Sequence, residues 1–133
     1  MGIEWSDELS MLNADIDAEH KRLIELVNEM NREIASQQRS QNEISRIMRL
    51  MLNHSVEHFA HEEQLFAEHD YPDAVEHTEN HSELIGKLNE ALKAIQNTDH
   101  VRRWVEIGQA VEDLLVDHVL NEDTKYIECL RTE

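Results

Sequence analysis

Apolar residues recur three or four positions apart along most of the chain, which is the spacing of amphipathic α-helices. Four segments show this pattern one after another, from about residues 17 to 37, 41 to 68, 72 to 95 and 100 to 130. The links between them are short, and short links between long helices make neighbouring helices antiparallel. We therefore predict an all-α fold over residues 1–133, a single domain built as an antiparallel up-down-up-down four-helix bundle.

Few residues interrupt these segments. The chain has three glycines and one proline, and it lacks the alternating β-branched runs that indicate strands. Pro72 suits the first turn of the third helix. Residues 1–16 lack the helical spacing, so we predict an irregular N-terminal arm in which Trp5 and Leu9 are the packing residues.

Charge and composition exclude several classes of partner. The formal net charge is −17, whereas nucleic acids and anionic membranes bind basic surfaces, so neither is expected as a partner. The acidity favours solubility, and preference for a basic partner is the alternative. The one cysteine, Cys129, cannot form an intrachain disulfide. The N-terminus shows no signal-peptide pattern and no apolar run could span a bilayer, so we expect a cytoplasmic protein without membrane insertion.

The chain contains nine histidines, and their positions on the helices are informative. An α-helix turns about 100° per residue, so each histidine can be placed relative to the apolar stripe of its segment. Five histidines and one glutamate fall inside these stripes. They are His20 in the first segment, His58 and Glu62 in the second, His77 and His81 in the third, and His118 in the fourth. We predict that the other four, His54, His61, His69 and His100, lie at the surface or rim.

Six buried polar groups need a common explanation. An uncompensated polar group in a core costs roughly 1–3 kcal/mol, so a metal-free bundle with this core would be unstable. One buried histidine is usually a satisfied core residue, but six groups from four helices favour a shared metal. Imidazole suits iron, zinc, copper and nickel, and inward-facing glutamates and histidines on a bundle are typical of di-iron sites.

Several motifs in order along the chain resemble those of the hemerythrin family, in particular its small bacterial members that consist of one domain. The match covers nearly the whole length, and the motifs together are specific although each alone is weak. They are residues 3–6 with 16–20, residues 58–63, residues 71–72 with 77–81, and residues 118–126.

The resemblance implies two iron ions per chain and assigns their ligands. One iron is held by His77, His81 and His118, and the other by His20 and His58. Both are bridged by Glu62, Asp123 and an oxo or hydroxo group. The iron with two histidines keeps an open position, at which O₂ would bind and from which it would leave unchanged. A histidine-rich set also favours O₂ binding over the oxygenase chemistry of carboxylate-rich di-iron sites.

Three apolar residues are candidates for an O₂ pocket. Leu23 lies one turn after His20, Phe59 follows His58, and Leu114 lies one turn before His118. These side chains either pack the core or form a dry wall that slows the loss of bound O₂ as peroxide.

The resemblance implies reversible O₂ binding for transport, storage or delivery. We also expect a monomer that is not an enzyme. An O₂-consuming enzyme would be its protein partner. Two alternatives stay open, an O₂ or redox sensor and a di-iron enzyme of the peroxidase or nitric-oxide-handling type. No further acid–base pair lies in the apolar stripes to support the enzyme, and no signalling domain is fused to support the sensor.

Asp123 is the one implied ligand that a regular helix does not explain. It lies five residues after His118 and would point about 140° away from it, whereas Glu122 would point in nearly the same direction. A π-type turn between His118 and Asp123 would rotate Asp123, Ile127 and Leu130 back to the core face. We therefore predict a local irregularity in the fourth helix, with Asp123 as ligand and Glu122 in solvent.

Overall fold

The computed structural model describes Trp5 and residues 14–118. These residues form four helices and no strand. The helices are α1 (Ala14–Ala35), α2 (Gln41–Glu68), α3 (Ala74–Gln96) and α4 (Val101–Asp117). None of them is long and apolar enough to cross a membrane.

The helices form a closed ring of neighbours. Helices α1 and α3 both pack against α2 and α4. The start of α2 meets the end of α3, since Gln41 Nε2 donates hydrogen bonds to the carbonyl oxygens of Ile95 at 2.8 Å and Thr98 at 2.9 Å. Gly108 of α4 lies against Asn31 and Ile34 of α1, so closely that an added Cβ would collide with the Asn31 side chain. The predicted antiparallel four-helix bundle is confirmed.

The helix bounds differ from the sequence-based ones by two or three residues at both ends of α1, Ala14 and Ala35, and at the start of α3. Helix α1 begins at Ala14 rather than near residue 17, and its first turn buries Ile16 against Phe66 and Tyr71. Helix α3 begins at Ala74 rather than at residue 72, after a turn in which Ala74 N–H donates to the Tyr71 carbonyl. The predicted part of the fourth helix after residue 118 lies outside the described residues.

The main apolar cluster draws residues from all four helices. Its fully buried members include Met30 of α1, Met48 of α2, Leu88 and Ile95 of α3, and Val111 of α4. They occupy the stripe positions that the sequence pattern predicts, and their burial supplies the main apolar contribution to stability.

The link between α1 and α2 is fixed by hydrogen bonds at the start of α2. Ser40 is the N-cap, and its side chain accepts a hydrogen bond from Glu43 N–H. The Ser40 backbone N–H donates to Glu33 Oε2 at 2.9 Å. Both contacts satisfy amide groups that a helix start leaves open.

Trp5 of the predicted arm contacts α1. Its ring lies beneath Lys21, with the Nζ atom 4.9 Å from the ring centroid, a cation–π contact. Leu9, the other predicted packing residue of the arm, lies outside the described residues.

Candidate metal centre

The six polar residues predicted to face the core come together at one end of the bundle. Each is buried, with at most 5% of its surface exposed, and each of the four helices contributes at least one. They are His20 from α1, His58 and Glu62 from α2, His77 and His81 from α3, and His118 directly after α4. Each residue faces the core because it occupies a position in the apolar stripe of its segment. The six meet because each lies near the helix end that is located at this end of the bundle.

Glu62 lies between two groups of histidines. Its Oε2 atom is 3.8 Å from His20 Nε2 and 3.4 Å from His58 Nε2, and its Oε1 atom is 3.0 Å from His81 Nε2. Burial raises the pKa of this carboxyl, but the nearby ring nitrogens of His20, His58 and His81 outweigh burial and hold the pKa well below its usual range. Glu62 is therefore a buried carboxylate with one oxygen towards each group.

Among the described residues, donor atoms cluster into two groups that share Glu62. His20 and His58, here called the two-histidine set, form one group with it. His77, His81 and His118, the three-histidine set, form the other. Within each group the candidate ligand atoms lie within 4.8 Å of one another. The division matches the one that the resemblance implies for two ions.

Two further glutamates contact the outer nitrogens of these histidines. Glu19 Oε1 lies 2.6 Å from His58 Nδ1, and Glu63 Oε2 lies 3.0 Å from His81 Nδ1. The other oxygen of Glu19 lies 2.7 Å from His61 Nδ1. Burial raises the pKa of Glu19, but hydrogen bonds from His58 and His61 outweigh it and lower the pKa.

These outer contacts were not predicted from the sequence. Glu19 and Glu63 fall outside the apolar stripes, and His61 was assigned to the surface or rim. His61 is half-buried, as are His54 and His69, whereas His100 is exposed. The sequence feature that could have indicated these contacts is that each glutamate directly neighbours a residue predicted to face the core.

The donor set fits a bound cation. A neutral imidazole has one N–H group, and in His58 and His81 a carboxylate oxygen lies close to both ring nitrogens. If the outer N–H donates to Glu19 or Glu63, the inner nitrogen directs a lone pair towards the Glu62 carboxylate. A cation between that nitrogen and the carboxylate satisfies both, and imidazole with carboxylate is a ligand set for transition metals.

The three candidate pocket residues all lie in or against the main apolar cluster. The Phe59 ring stacks on His81 with centroids 4.0 Å apart, closer than its 5.7 Å from the neighbouring His58. Leu114 is half-buried and lines a cleft of about 120 Å³ together with His118. Leu23 lies in the main apolar cluster. Phe59 and Leu114 therefore lie beside the three-histidine set.

The helix that carries His118 changes character at this residue. Helix α4 ends at Asp117 and a π-helical segment begins at His118, whose own N–H still donates to the Leu114 and Leu115 carbonyls as in a regular helix. The predicted irregularity was to begin here. Asp123 and its rival Glu122 lie outside the described residues, so the orientation of Asp123 stays a prediction.

Comparison with known proteins agrees with this fold. The family model of the hemerythrin HHE cation binding domain matches residues 11–130. A bacteriohemerythrin of Methylococcus capsulatus is 30% identical over 118 residues, which cover 86% of this chain and 85% of that protein. A bacteriohemerythrin of Pseudomonas aeruginosa is 26% identical over 127 residues, 96% of this chain and 80% of that protein. A crystal structure of wild-type hemerythrin, 24% identical, shares the fold with a TM-score of 0.83 over 96% of this chain and 97% of its own. The chain belongs to the hemerythrin family.

Proposed function

We propose that this protein holds two non-haem iron ions and binds O₂ reversibly, as a carrier, store or supplier rather than an enzyme. The observation that carries the proposal is the division of six buried donor residues into two groups that share the Glu62 carboxylate. One ion would not use both groups, because the two oxygens of Glu62 face different histidines.

The ligand assignment follows the two groups. The three-histidine set would hold one ion and the two-histidine set the other, with Glu62 bridging them. Asp123 would add the second carboxylate bridge. Inner nitrogens of His20, His58 and His81 already point at the Glu62 oxygens from 3.0 to 3.8 Å, so small adjustments would admit a cation.

The position for O₂ follows from the unequal number of histidines. The two-histidine set offers fewer donors, so its ion would keep an open position. Bound iron would supply the redox-active position at which O₂ is taken up and released. His20 has no exposed surface and His58 only 1%, so this chain would keep water away from that side.

Apolar side chains support binding without turnover. On the side of the two-histidine set, Leu23 lies one turn after His20 and is 3% exposed, and the Phe59 ring, 1% exposed, has its centroid 5.7 Å from that of His58. Apolar side chains that exclude water in this way would slow the loss of bound O₂ as peroxide. The outer glutamates, Glu19 and Glu63, hydrogen-bond to histidines of the two sets, which leaves them in a supporting rather than an acid–base role.

The test is an oxygenation cycle on the full chain. The reduced, iron-loaded protein should be colourless, gain a visible charge-transfer band with O₂, and lose it under vacuum over repeated cycles. His20→Ala should abolish the band, whereas His100→Ala, an exposed histidine at the start of α4, should leave it unchanged. Steady O₂ consumption with a co-substrate would instead favour an enzyme, and absence of the band in the iron-loaded protein would contradict the proposal.

A further inference from the structure

The glutamates Glu19 and Glu63 occupy equivalent places in the two halves of the centre. Each is the sequence neighbour of one predicted ligand, Glu19 of His20 and Glu63 of Glu62. Each also contacts the outer nitrogen of a predicted ligand on the next helix. Glu19 of α1 reaches His58 of α2 at 2.6 Å, and Glu63 of α2 reaches His81 of α3 at 3.0 Å.

Such a contact determines which nitrogen of the imidazole carries the proton and which carries the lone pair. When the outer Nδ1–H donates to a carboxylate, the inner Nε2 carries the lone pair that a metal requires. The carboxylate also fixes the rotation of the ring and makes the inner nitrogen a stronger donor. Glu19 is placed to make this contact with His58, and Glu63 with His81.

The Glu19 contact is more extensive than the Glu63 contact. Its second oxygen accepts from His61 at 2.7 Å, and its backbone carbonyl lies 3.0 Å from His54 Nε2. Three histidines on one side of α2 therefore converge on one residue of α1. The Glu63 side chain is more exposed, 38% against 25% for Glu19, and it contacts His81 through one oxygen.

We propose that Glu19 and Glu63 are positioning residues that each serve one metal ion. Glu19, held in place by His61, orients His58 for the ion of the two-histidine set. Glu63 orients His81 for the ion of the three-histidine set. The inference rests on the proposed two-ion site and adds that the two ions can be weakened separately from outside the ligand shell.

The test is competitive removal of Co(II) from the loaded full chain by a chelator, followed by cobalt content and visible absorption. Wild-type protein should lose two ions in two steps. Glu19→Ala should weaken one ion by about 10–100-fold, the typical effect of losing such an outer contact, and Glu63→Ala should weaken the other. Reference spectra come from His20→Ala and His77→Ala, each of which removes a ligand of one set.

The spectra identify which ion is affected. The band weakened by Glu19→Ala should be the one absent in His20→Ala, and the band weakened by Glu63→Ala should be the one absent in His77→Ala. Glu19→Gln keeps an oxygen that accepts from His58, so it should retain part of the affinity and serves if Glu19→Ala does not fold. His61→Ala should weaken the same ion as Glu19→Ala, but less.

A matched control is Glu57→Ala, which alters an exposed glutamate next to His58 and should leave both steps unchanged. Equal weakening of both ions by Glu19→Ala, or no weakening of either, would overturn the inference while leaving the two-ion site intact. A wild-type protein that binds one cobalt ion or none would instead contradict the proposed function.

Discussion

The two ends of the bundle are built from the same four helices but are stabilised in different ways. At the apolar end, defined here by Met30, Met48, Leu88 and Ile95, the side chains are fully buried and carry no charge. At the histidine end, defined by the two-histidine set, the three-histidine set and Glu62, the same stripe positions carry polar groups. Burial alone stabilises the apolar end, whereas buried polar groups are stable only with partners, and a metal ion is the partner that their geometry fits.

The charges along the chain reinforce this difference. No lysine or arginine occurs between Arg49 and Lys87, the part of the chain that supplies His58, Glu62, His77 and His81 and also many acidic residues. A negative surrounding of this kind favours cations and disfavours anions at the histidine end. The same fold therefore carries an inert core at one end and a cation-binding core at the other.

The largest expected effect follows from removing the residue that both groups share. Glu62→Ala should abolish binding of both ions, because this carboxylate faces His58 through one oxygen and His81 through the other. Metal content after purification from iron-replete cells measures the effect. Glu57→Ala, which alters an exposed residue five positions earlier on α2, is the control. A Glu62→Ala protein that keeps two ions would show that Glu62 is not shared.

Metal removal should destabilise the histidine end more than the apolar end. A ligand at 1,000 times its dissociation constant stabilises the folded state by about 4 kcal/mol, so the melting temperature should fall clearly when iron is removed. Hydrogen exchange should show the loss of protection around His58 and His77, with protection around Leu88 kept. Equal loss at both ends, or an unchanged melting temperature, would argue against separate sources of stability.

A cavity in the apolar end should lower the stability of the fold without changing metal binding. Leu88→Ala removes a side chain with no exposed surface and should lower the free energy of unfolding by about 2–5 kcal/mol. The iron-to-protein ratio should not change, because Leu88 belongs to the apolar cluster and not to the donor groups. Urea unfolding and an iron assay on the same sample decide the matter, and loss of iron from a folded Leu88→Ala protein would show that the ends are coupled.

The smallest effect concerns the start of α2, at the apolar end. Ser40→Ala removes the side chain that caps Glu43 N–H and should cost about 1 kcal/mol of stability. Ser40→Asp, which keeps a capping oxygen, should restore most of it. Both variants should bind metal as the wild type does, and a change in metal binding by either would again indicate coupling between the ends.

Much of this arrangement could be predicted from the sequence, because helical periodicity is a local property. The stripes of Met30, Met48 and Leu88 predicted the bundle, and the same rotation of about 100° per residue brought His58 and His81 into the core. The start of α1 was placed too late because its first turn depends on Ile16 packing against residues far along the chain.

The outer contacts could not be predicted in this way. Glu19 meets His58 and His61 from 39 and 42 positions away, and the contact depends on how α1 and α2 are rotated against each other. Phe59 illustrates the same limit, since adjacency assigned it to His58 whereas its ring stacks on His81. Stripe geometry indicates which residues face the core, and helix packing decides which of them meet.

The iron-to-protein ratio of the full chain, purified from iron-replete cells, tests the central claim most directly. Two donor groups that share Glu62 predict two iron ions per chain, falling to about one in His20→Ala and to none in Glu62→Ala. A fully loaded wild-type protein with one ion per chain, or with zinc held tightly in the presence of excess iron, would contradict the account.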